Sequence, residues 1–351
     1  MASATATVWK ATKYNEMNNG PFSEFGIFLD AYFSGEGPGV VLGVIDNDGQ
    51  KKIHNGGMAD IEACTPATAD TRFELASVTK MITATIVMKL FEQGKIDLQE
   101  PAAPHIGVSN KNARAVTIRD LLQHTSGLPD YLETGALTPQ EELKRSYVLN
   151  QLPCWFEHAL PGQSFNYSNT NYVILAHLVE TLTGQQYARH LKTVFQSLKM
   201  SNTGSVVNPE KEPLELAIGY TNMGYGTPQF DKCPESDIDT EGDGGLFSSA
   251  TDLLTWQHAF WNAHIVNRKT IEMMIQPGRT DDGQTFPYGL GLQVESATGK
   301  GQWFGHGGSW VNSTTLVGHY PGGNTSVVVL SNEVVAPVER ISQRAMQLLN
   351  F

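Results

Sequence analysis

Ser77 and Lys80 lie three positions apart at the start of FELASVTKMITATIVMKLFEQGKI, residues 73–96. Residues three apart share one face of a helix, so the hydroxyl and the amine are within reach of a hydrogen bond. Apolar neighbours and the positive end of the helix dipole both disfavour an ammonium ion at Lys80. A neutral amine beside a serine hydroxyl can act as a general base, so the pair predicts a nucleophilic serine.

Two ordinary roles compete with this interpretation. Ser77 could cap the helix, as serine commonly does, and Lys80 could lay its stem on the core with its amine in solvent. A capping box, however, places Glu or Gln three residues after the serine, and a first-turn lysine opposes the helix dipole. The pair alone leaves both interpretations open.

A Tyr-Ser-Asn motif at 167–169 precedes a predicted helix that ends at Gly184. A phenol at Tyr167 could relay a proton to a leaving group, and the amide of Asn169 could orient a substrate amide or ester. Alternatively, Asn169 or Ser168 caps the helix and Tyr167 packs beside it. A His-Gly-Gly motif at 306–308 lies in a predicted strand, where glycines permit the close approach of another backbone.

Periodicity predicts a helical region that interrupts an antiparallel sheet, hence an α/β (α+β) fold with about five strands flanked by helices and a largely helical domain. The sheet domain is expected at 20–75 and 285–351, the helical domain with long loops at 76–284, and the site at their junction. Strands are predicted within 39–60 and at 288–296, 301–310, 313–321 and 324–332. Helices are predicted at 22–33, 78–93, 117–124, 139–151, 169–183, 185–195, 250–263, 268–275 and 338–350.

Composition narrows the classes of partner. The 351 residues are 40% hydrophobic and carry a formal net charge of -12, which argues against nucleic acid and anionic membranes. A small-molecule or short-peptide substrate is expected. The three cysteines show neither metal spacing nor a disulfide framework, and no run is long enough to span a membrane. The N-terminus lacks an apolar signal-peptide core, so the protein is expected to be cytoplasmic, or exported after removal of a signal; the oligomeric state is not predicted.

Four motifs together resemble those of the serine β-lactamase-like superfamily. The resemblance is to the branch that holds class C β-lactamases, D-alanyl-D-alanine carboxypeptidases, D-aminopeptidases and family VIII-type esterases, and it covers nearly the whole chain. The motifs are SVTK (77–80), HTSGLPDY (124–131), YSN (167–169) and HGG (306–308), with GGLFSSATDLLTW (244–256) and YGLGLQV (288–294) in support.

The resemblance implies four catalytic residues and no metal or organic cofactor. Ser77 would be the acylated nucleophile and Lys80 would activate it. Tyr167 would be the base or proton relay. His306 would stand where the β-lactamases place a lysine, lining the cleft and tuning the proton of the tyrosine.

The resemblance also implies the groups that bind the substrate. Asn169 would orient it, and the backbone N–H groups of Ser77 and of Ser309, which follows Gly307 and Gly308, would form an oxyanion hole. Segment 124–131 is expected to be architectural, its polar side chains satisfying loop and helix-end backbone groups.

One departure from the family pattern narrows the substrate. His306 and Gly307 replace the lysine and threonine of the Lys-Thr-Gly motif of efficient β-lactamases, so a cation and a hydroxyl that could bind a substrate carboxylate are both missing. Ser309 or Thr315 could compensate. The predicted function is therefore a serine hydrolase that acts through an acyl-enzyme on amides, short peptides with D-amino acids, or short-chain esters.

Other functions are ranked below this one. Within the family, β-lactamase or D,D-carboxypeptidase activity is the alternative, and a non-catalytic binding or assembly protein is the alternative from another class. A Ser-His-Asp hydrolase would need Gly-x-Ser-x-Gly, and a metallohydrolase a spacing such as His-Glu-x-x-His; the sequence contains neither.

Overall fold

A computed structural model describes residues 35–46, 48–109, 115–134, 144–207, 215–224, 229–234, 239–297 and 301–348. The predicted helix at 22–33 lies outside these residues, as does the start of the one predicted at 139–151. The helices of the described part are α1 Thr79–Glu92, α2 Ile118–Leu122, α3 Arg145–His158, α4 Asn169–Thr183, α5 Tyr187–Ser197, α6 Ala250–Trp261, α7 Arg268–Met274 and α8 Val338–Leu348. Short 3-10 turns occupy Ala76–Val78, Ala103–Ile106 and Pro321–Gly323.

Most strands of the described residues are short, and the long ones come from the two ends of the chain. They are β1 Val40–Ile45, β2 Lys51–Gly56, β3 Met58–Asp60, β4 Thr65–Pro66, β5 Phe73–Glu74, β6 Gly204–Ser205, β7 Tyr220–Asn222, β8 Phe230–Lys232, β9 Leu246–Ser248, β10 Gly278–Arg279, β11 Thr285–Phe286, β12 Gln293–Ala297, β13 Gly301–Trp310, β14 Ser313–Tyr320 and β15 Thr325–Ser331.

One antiparallel sheet of six strands, in the order β12-β13-β14-β15-β1-β2, organises the fold. This confirms the predicted fold class, with one strand more than expected. Alternate residues of β1 face opposite sides, as a pleated strand requires: Val40, Leu42 and Val44 share an apolar cluster with α8, whereas Val41 and Ile45 belong to the main core. The sheet is therefore covered on both faces, by α8 on one side and α6 on the other.

The main core surrounds α1, which is buried along most of its length and packs against α4. A helix that is apolar all round has no solvent-facing side, and this one lies between the sheet and the remaining helices. The turn that leads into α1 lies against strand β13, and the first turns of α1 and α4 meet where Lys80 donates to Asn169. The division of the chain into two domains stays a prediction. None of the helices in the described ranges is both long and apolar enough to cross a membrane.

Candidate active site

Ser77 lies in the 3-10 turn that leads into α1, and it does not cap that helix. The helix begins without a side-chain cap, and Ser77 Oγ instead lies 3.0 Å from Lys80 Nζ. The residue before the serine, Ala76, has a φ of 47°, in the left-handed region that non-glycine residues rarely adopt. Such backbone strain persists only where the surroundings enforce it, and it sets the direction in which Ser77 leaves the turn.

Lys80 is fully buried, and its amine lies among three oxygen atoms. Nζ is 3.0 Å from Ser77 Oγ, 2.7 Å from Asn169 Oδ1 and 2.8 Å from the backbone carbonyl oxygen of Asp243. The amine of Lys80 is not exposed to solvent, so the alternative in which this side chain extends to the surface is wrong. All three positions for a hydrogen on an ammonium group are occupied.

Asn169 is oriented by Asp130. Asp130 Oδ2 accepts from Asn169 Nδ2 at 2.7 Å and from the Asn169 backbone N–H at 3.2 Å. Because the amide nitrogen donates to Asp130, the amide oxygen faces Lys80. Asp130 also accepts from the N–H of Leu132, so the expected backbone role of this loop is accompanied by a role in setting the side chain of Asn169.

Tyr167 lies over the amine of Lys80, with 5.0 Å between Nζ and the centroid of the ring. The ring of His124 stacks on the ring of Tyr167, with 4.3 Å between the two centroids. His124 Nδ1 accepts from the N–H of Ser168, so this histidine satisfies a backbone group at the start of α4 as expected. Burial and the positive charge of Lys80 hold the pKa of His124 well below its ordinary value, which keeps the ring neutral.

The His-Gly-Gly motif brings β13 against the turn that carries Ser77. A Cβ built on Gly308 would lie 2.4 Å from the carbonyl oxygen of Leu75 and 3.1 Å from the backbone nitrogen of Ser77, so only glycine fits. Thr315 Oγ on the neighbouring strand donates to the same Leu75 carbonyl at 2.9 Å and is buried. Its hydroxyl is thus committed to the fold, whereas Ser309 is exposed.

His306 is buried, and its two ring nitrogens are both engaged. Nε2 lies 3.0 Å from the hydroxyl of Tyr288, and Nδ1 lies 2.6 Å from the carbonyl oxygen of Gly307. Burial and the charge of Lys80 lower the pKa of His306 to about 3. The rings of His306 and Tyr167 are 6.1 Å apart between centroids. That His306 tunes the proton of Tyr167 stays a prediction, and its hydrogen bonds run to other groups.

The structure thus brings Ser77, Lys80, Tyr167 and Asn169 together, with the 306–309 strand alongside. Sequence reasoning missed the contributions of Asp243 and Tyr288 and assigned Asp130 to architecture alone. Asp243 lies next to the supporting stretch that begins at Gly244, and Tyr288 opens the stretch YGLGLQV, but neither stretch indicates a contact with the site. The ring of Tyr131 is 1% exposed, and its hydroxyl donates to the carboxylate of Asp243 at 2.9 Å.

The chain is similar in sequence and in fold to several known proteins. Penicillin-binding protein 4* of Bacillus subtilis (strain 168) is 29% identical over 306 residues, which cover 80% of this chain and 65% of that protein. The octameric penicillin-binding protein homologue from Pyrococcus abyssi superposes with a TM-score of 0.79 at 25% identity, covering 94% of this chain and 77% of that one. The D-amino acid amidase from Ochrobactrum anthropi SV3, solved with D-phenylalanine, gives a TM-score of 0.77 at 23% identity, covering 94% of this chain and 99% of that one.

The family model described as beta-lactamase matches residues 26–349. That range holds the two ends that build the sheet, the helices between them and every residue of the site described above. The chain belongs to the beta-lactamase family.

Proposed function

We propose that this protein is a serine hydrolase that forms an acyl-enzyme on Ser77. One observation carries the proposal: of the three oxygens around Lys80 Nζ, only Ser77 Oγ can also donate. A protonated Lys80 donates to all three. A neutral Lys80 keeps its bonds to Asn169 and to the Asp243 carbonyl and accepts the Ser77 proton through its lone pair. Proton transfer from Ser77 to Lys80 therefore reverses one hydrogen bond and breaks none.

The reaction then proceeds in two balanced steps. Ser77 Oγ attacks the carbonyl carbon of an amide or ester, the C–N or C–O bond breaks, and the leaving amine or alcohol takes up the proton that Ser77 released. Tyr167, above the amine of Lys80, is the proposed relay for that proton. Water then attacks the ester carbon, and the Ser77 hydroxyl is restored as the acid product leaves.

The proposed oxyanion hole consists of the N–H groups of Ser77 and Ser309. Strand β12 pairs with β13 up to Gln293 and Gly305, and beyond that point the N–H of Gly307 donates to the side chain of Gln293 at 3.3 Å. Backbone groups two residues apart point to the same side of a strand, so the N–H of Ser309 is directed to the side that β12 leaves open. A donor at such a site typically contributes about 3 to 4 kcal/mol to catalysis.

The proposed substrates are amides, short peptides with D-amino acids, and short-chain esters, none of which needs a carboxylate beside the scissile bond. His306 is neutral, so it supplies no fixed cation at the motif position. The hydroxyl of Thr315 is committed to Leu75, which leaves the exposed Ser309 as the available hydroxyl of the motif strand. The likeness to a D-amino acid amidase supports the amide class.

The experiment must also distinguish two alternative functions from the proposed one. β-Lactamase or D,D-carboxypeptidase activity is favoured by the likeness to penicillin-binding proteins but lacks the cation at 306. A non-catalytic binding or assembly role would leave the contact between Ser77 and Lys80 without a use.

The test combines turnover with intact mass. The protein is incubated with a chromogenic short-chain ester, a panel of D- and L-amino acid amides, and a chromogenic cephalosporin. We expect ester or D-amide turnover and a mass gain of one acyl group, both lost in Ser77→Ala. The control is Ser197→Ala, an exposed serine at the end of α5, which should behave as the wild type. Absence of turnover and of acyl mass in the wild type, or full activity in Ser77→Ala, would refute the proposal.

A further inference from the structure

A buried hydrogen-bond chain runs from the hydroxyl of Tyr288 through the ring of His306 to the backbone carbonyl of Gly307, on strand β13 beside Ser77. The phenol oxygen lies 3.0 Å from His306 Nε2, and His306 Nδ1 lies 2.6 Å from the Gly307 carbonyl oxygen. Both side chains are 2% exposed, and their rings meet edge to face with centroids 5.7 Å apart. Solvent therefore does not compete for either bond.

The direction of both bonds follows from the groups involved. A carbonyl oxygen only accepts, so His306 Nδ1 must carry a hydrogen. The neutral ring then has no hydrogen on Nε2, which must accept from the hydroxyl of Tyr288. Burial and the neighbouring phenols Tyr172 and Tyr167 raise the pKa of Tyr288 well above its ordinary value, so this phenol keeps the proton it donates.

This hydrogen-bond chain holds β13 on the edge that faces β12, at a point where β12 no longer pairs with it; the other edge is paired with β14. Gly307 lies past the last β12 partner, and both of its backbone groups on that side are taken by side chains: Gln293 accepts from the N–H and His306 donates to the carbonyl. The next residue with the same orientation is Ser309. The Gly307 peptide thereby sets the strand that presents the Ser309 N–H.

We infer that Tyr288 is a positioning residue for the oxyanion hole. By donating to Nε2 it selects the tautomer of His306 that carries its hydrogen on Nδ1, and that hydrogen fixes the Gly307 carbonyl. With Phe at 288, Nε2 is left buried without its donor and only the Gly307 carbonyl still favours this tautomer, so the hold of His306 on this edge of the strand is weakened. The same occupancy of Nε2 prevents His306 from sharing a proton with Tyr167 in this arrangement. The catalytic half of the inference rests on the proposed function; the tautomer half does not.

The experiment measures the tautomer and the kinetics separately on the full chain. Nitrogen-15 NMR of protein labelled at histidine, with His306 assigned by its loss in His306→Asn, should show the hydrogen on Nδ1 in the wild type. Tyr288→Phe should shift it partly to Nε2, because one of the two groups that favour the Nδ1 tautomer is gone. The matched control is Tyr187→Phe, another buried phenol, whose hydroxyl bonds that of Thr83 at 2.6 Å; it should keep the wild-type tautomer.

For a substrate that the wild type turns over, Tyr288→Phe should lower kcat about tenfold or more with KM nearly unchanged. That loss is smaller than the ~10²–10³ expected for deletion of an oxyanion donor, since the Ser309 N–H is displaced rather than removed. A second pair of variants covers the case in which Tyr288→Phe does not fold. His306→Asn can place an N–H near Nδ1 and should retain more activity than His306→Gln, which places its amide near Nε2.

Three outcomes would overturn the inference. They are a wild-type His306 with its hydrogen on Nε2, an unchanged tautomer or an unchanged kcat in Tyr288→Phe, and greater activity in His306→Gln than in His306→Asn. If the wild type turns over no substrate, the proposed function fails, whereas the tautomer measurement still decides the role of Tyr288 at His306.

Discussion

Glu241 and Asp243 are buried acids two residues apart on one loop, but the groups around their side chains differ. Burial raises the pKa of both, in Glu241 to about 7. Glu241 accepts from Ser205 at 2.8 Å and lies 3.9 Å from the guanidinium of Arg145. Asp243 offers its backbone carbonyl to Lys80, accepts one bond from Tyr131, and has a second carboxylate oxygen with no hydrogen-bond partner in the structure.

The cations next to these two acids, Arg145 beside Glu241 and Lys80 beside Asp243, also have different partners. Arg145 is bonded by both oxygens of Glu180 and lies near a second carboxylate, so it stays charged and ties α3 to α4. Lys80 has a hydroxyl, an amide and a carbonyl as its partners, and a neutral oxygen can accept from an amine in either protonation state. The comparison teaches that carboxylates hold a permanent charge in this fold, whereas neutral oxygens surround the amine whose proton is proposed to move.

Arg145, Glu180 and Glu241 form a cluster that we call structural, and removing its cation, Arg145, should produce the largest effect on stability. Arg145→Met leaves the buried Glu241 and the partly buried Glu180 without their partner. Removing one member of a fully buried pair typically costs about 3–5 kcal/mol, which is the upper limit for this partly exposed pair. We expect that loss in the free energy of unfolding measured with urea, while kcat of the folded protein changes little. Arg189→Met, an exposed arginine of α5, serves as the control and should lie within about 0.5 kcal/mol of the wild type. A stability loss equal to that of the control would mean that the cluster is not structural.

The second prediction concerns the pH dependence of stability. Burial raises the pKa of Glu241 from 4.5 to about 7 in the folded protein, so folding favours its protonated form. The contribution to stability is complete below pH 4.5 and is lost as the pH rises to about 7. The loss amounts to about 3 kcal/mol, because one pKa unit corresponds to about 1.4 kcal/mol.

Glu241→Gln cannot ionise, so its unfolding free energy should change less between pH 4.5 and 7 than that of the wild type. Urea titrations at several pH values measure both slopes. The opposite sign is expected for Glu180, where burial is outweighed by hydrogen bonds from Arg145 and His177 and the pKa falls to about 2. Its contribution is present above pH 4.5 and disappears in acid. Parallel curves for the wild type and Glu241→Gln would contradict the assignment.

Local patterns predicted the elements well where a single rule decides them. Helix α4 runs from Asn169 to Thr183 as predicted, because its apolar repeat is uninterrupted and Gly184, at a φ of 67°, ends it. Helix α3 continues to His158 instead of ending at 151, since Leu152 and Phe156 bury its later turns despite Pro153. Tertiary packing there outweighs the local penalty of a proline.

The predicted and the missed contacts of the site differ in the sequence separation of their residues. Ser77 and Lys80 are three positions apart, a spacing that helix geometry turns into a contact. Asp130 reaches Asn169 across 39 positions, and Asp243 reaches Lys80 across 163. Such contacts depend on where loops return in the folded chain, and no local spacing encodes them. Asp130 does lie in one of the motifs of the family resemblance, HTSGLPDY, but the sequence predicts an architectural role for that motif, and Asp243 lies in none of the motifs.

Asp243→Asn should have the smallest effect and is the sharpest test of the comparison. The groups that face this carboxyl are Lys80, Asp130 and Tyr131. Once ionised, the carboxylate attracts the ammonium form of Lys80, whereas only the neutral amine can accept the Ser77 proton. Asparagine keeps an acceptor for Tyr131 and the backbone carbonyl for Lys80 but removes the charge. The acid limb of kcat/KM should therefore move to lower pH. The change in rate at neutral pH should be less than about tenfold, since Lys80 bonds the backbone carbonyl of Asp243 and not its carboxylate.

Glu241→Gln is the matched control for that profile, because it removes an acid from the same loop that faces Arg145 and not Lys80. Its acid limb should coincide with that of the wild type. A shift of equal size in both variants would show that the net charge of the loop acts on the site, and the contrast between the two acids would fail. A shift to higher pH in Asp243→Asn alone would contradict the assignment, because removing a negative charge cannot by itself stabilise the ammonium form of Lys80.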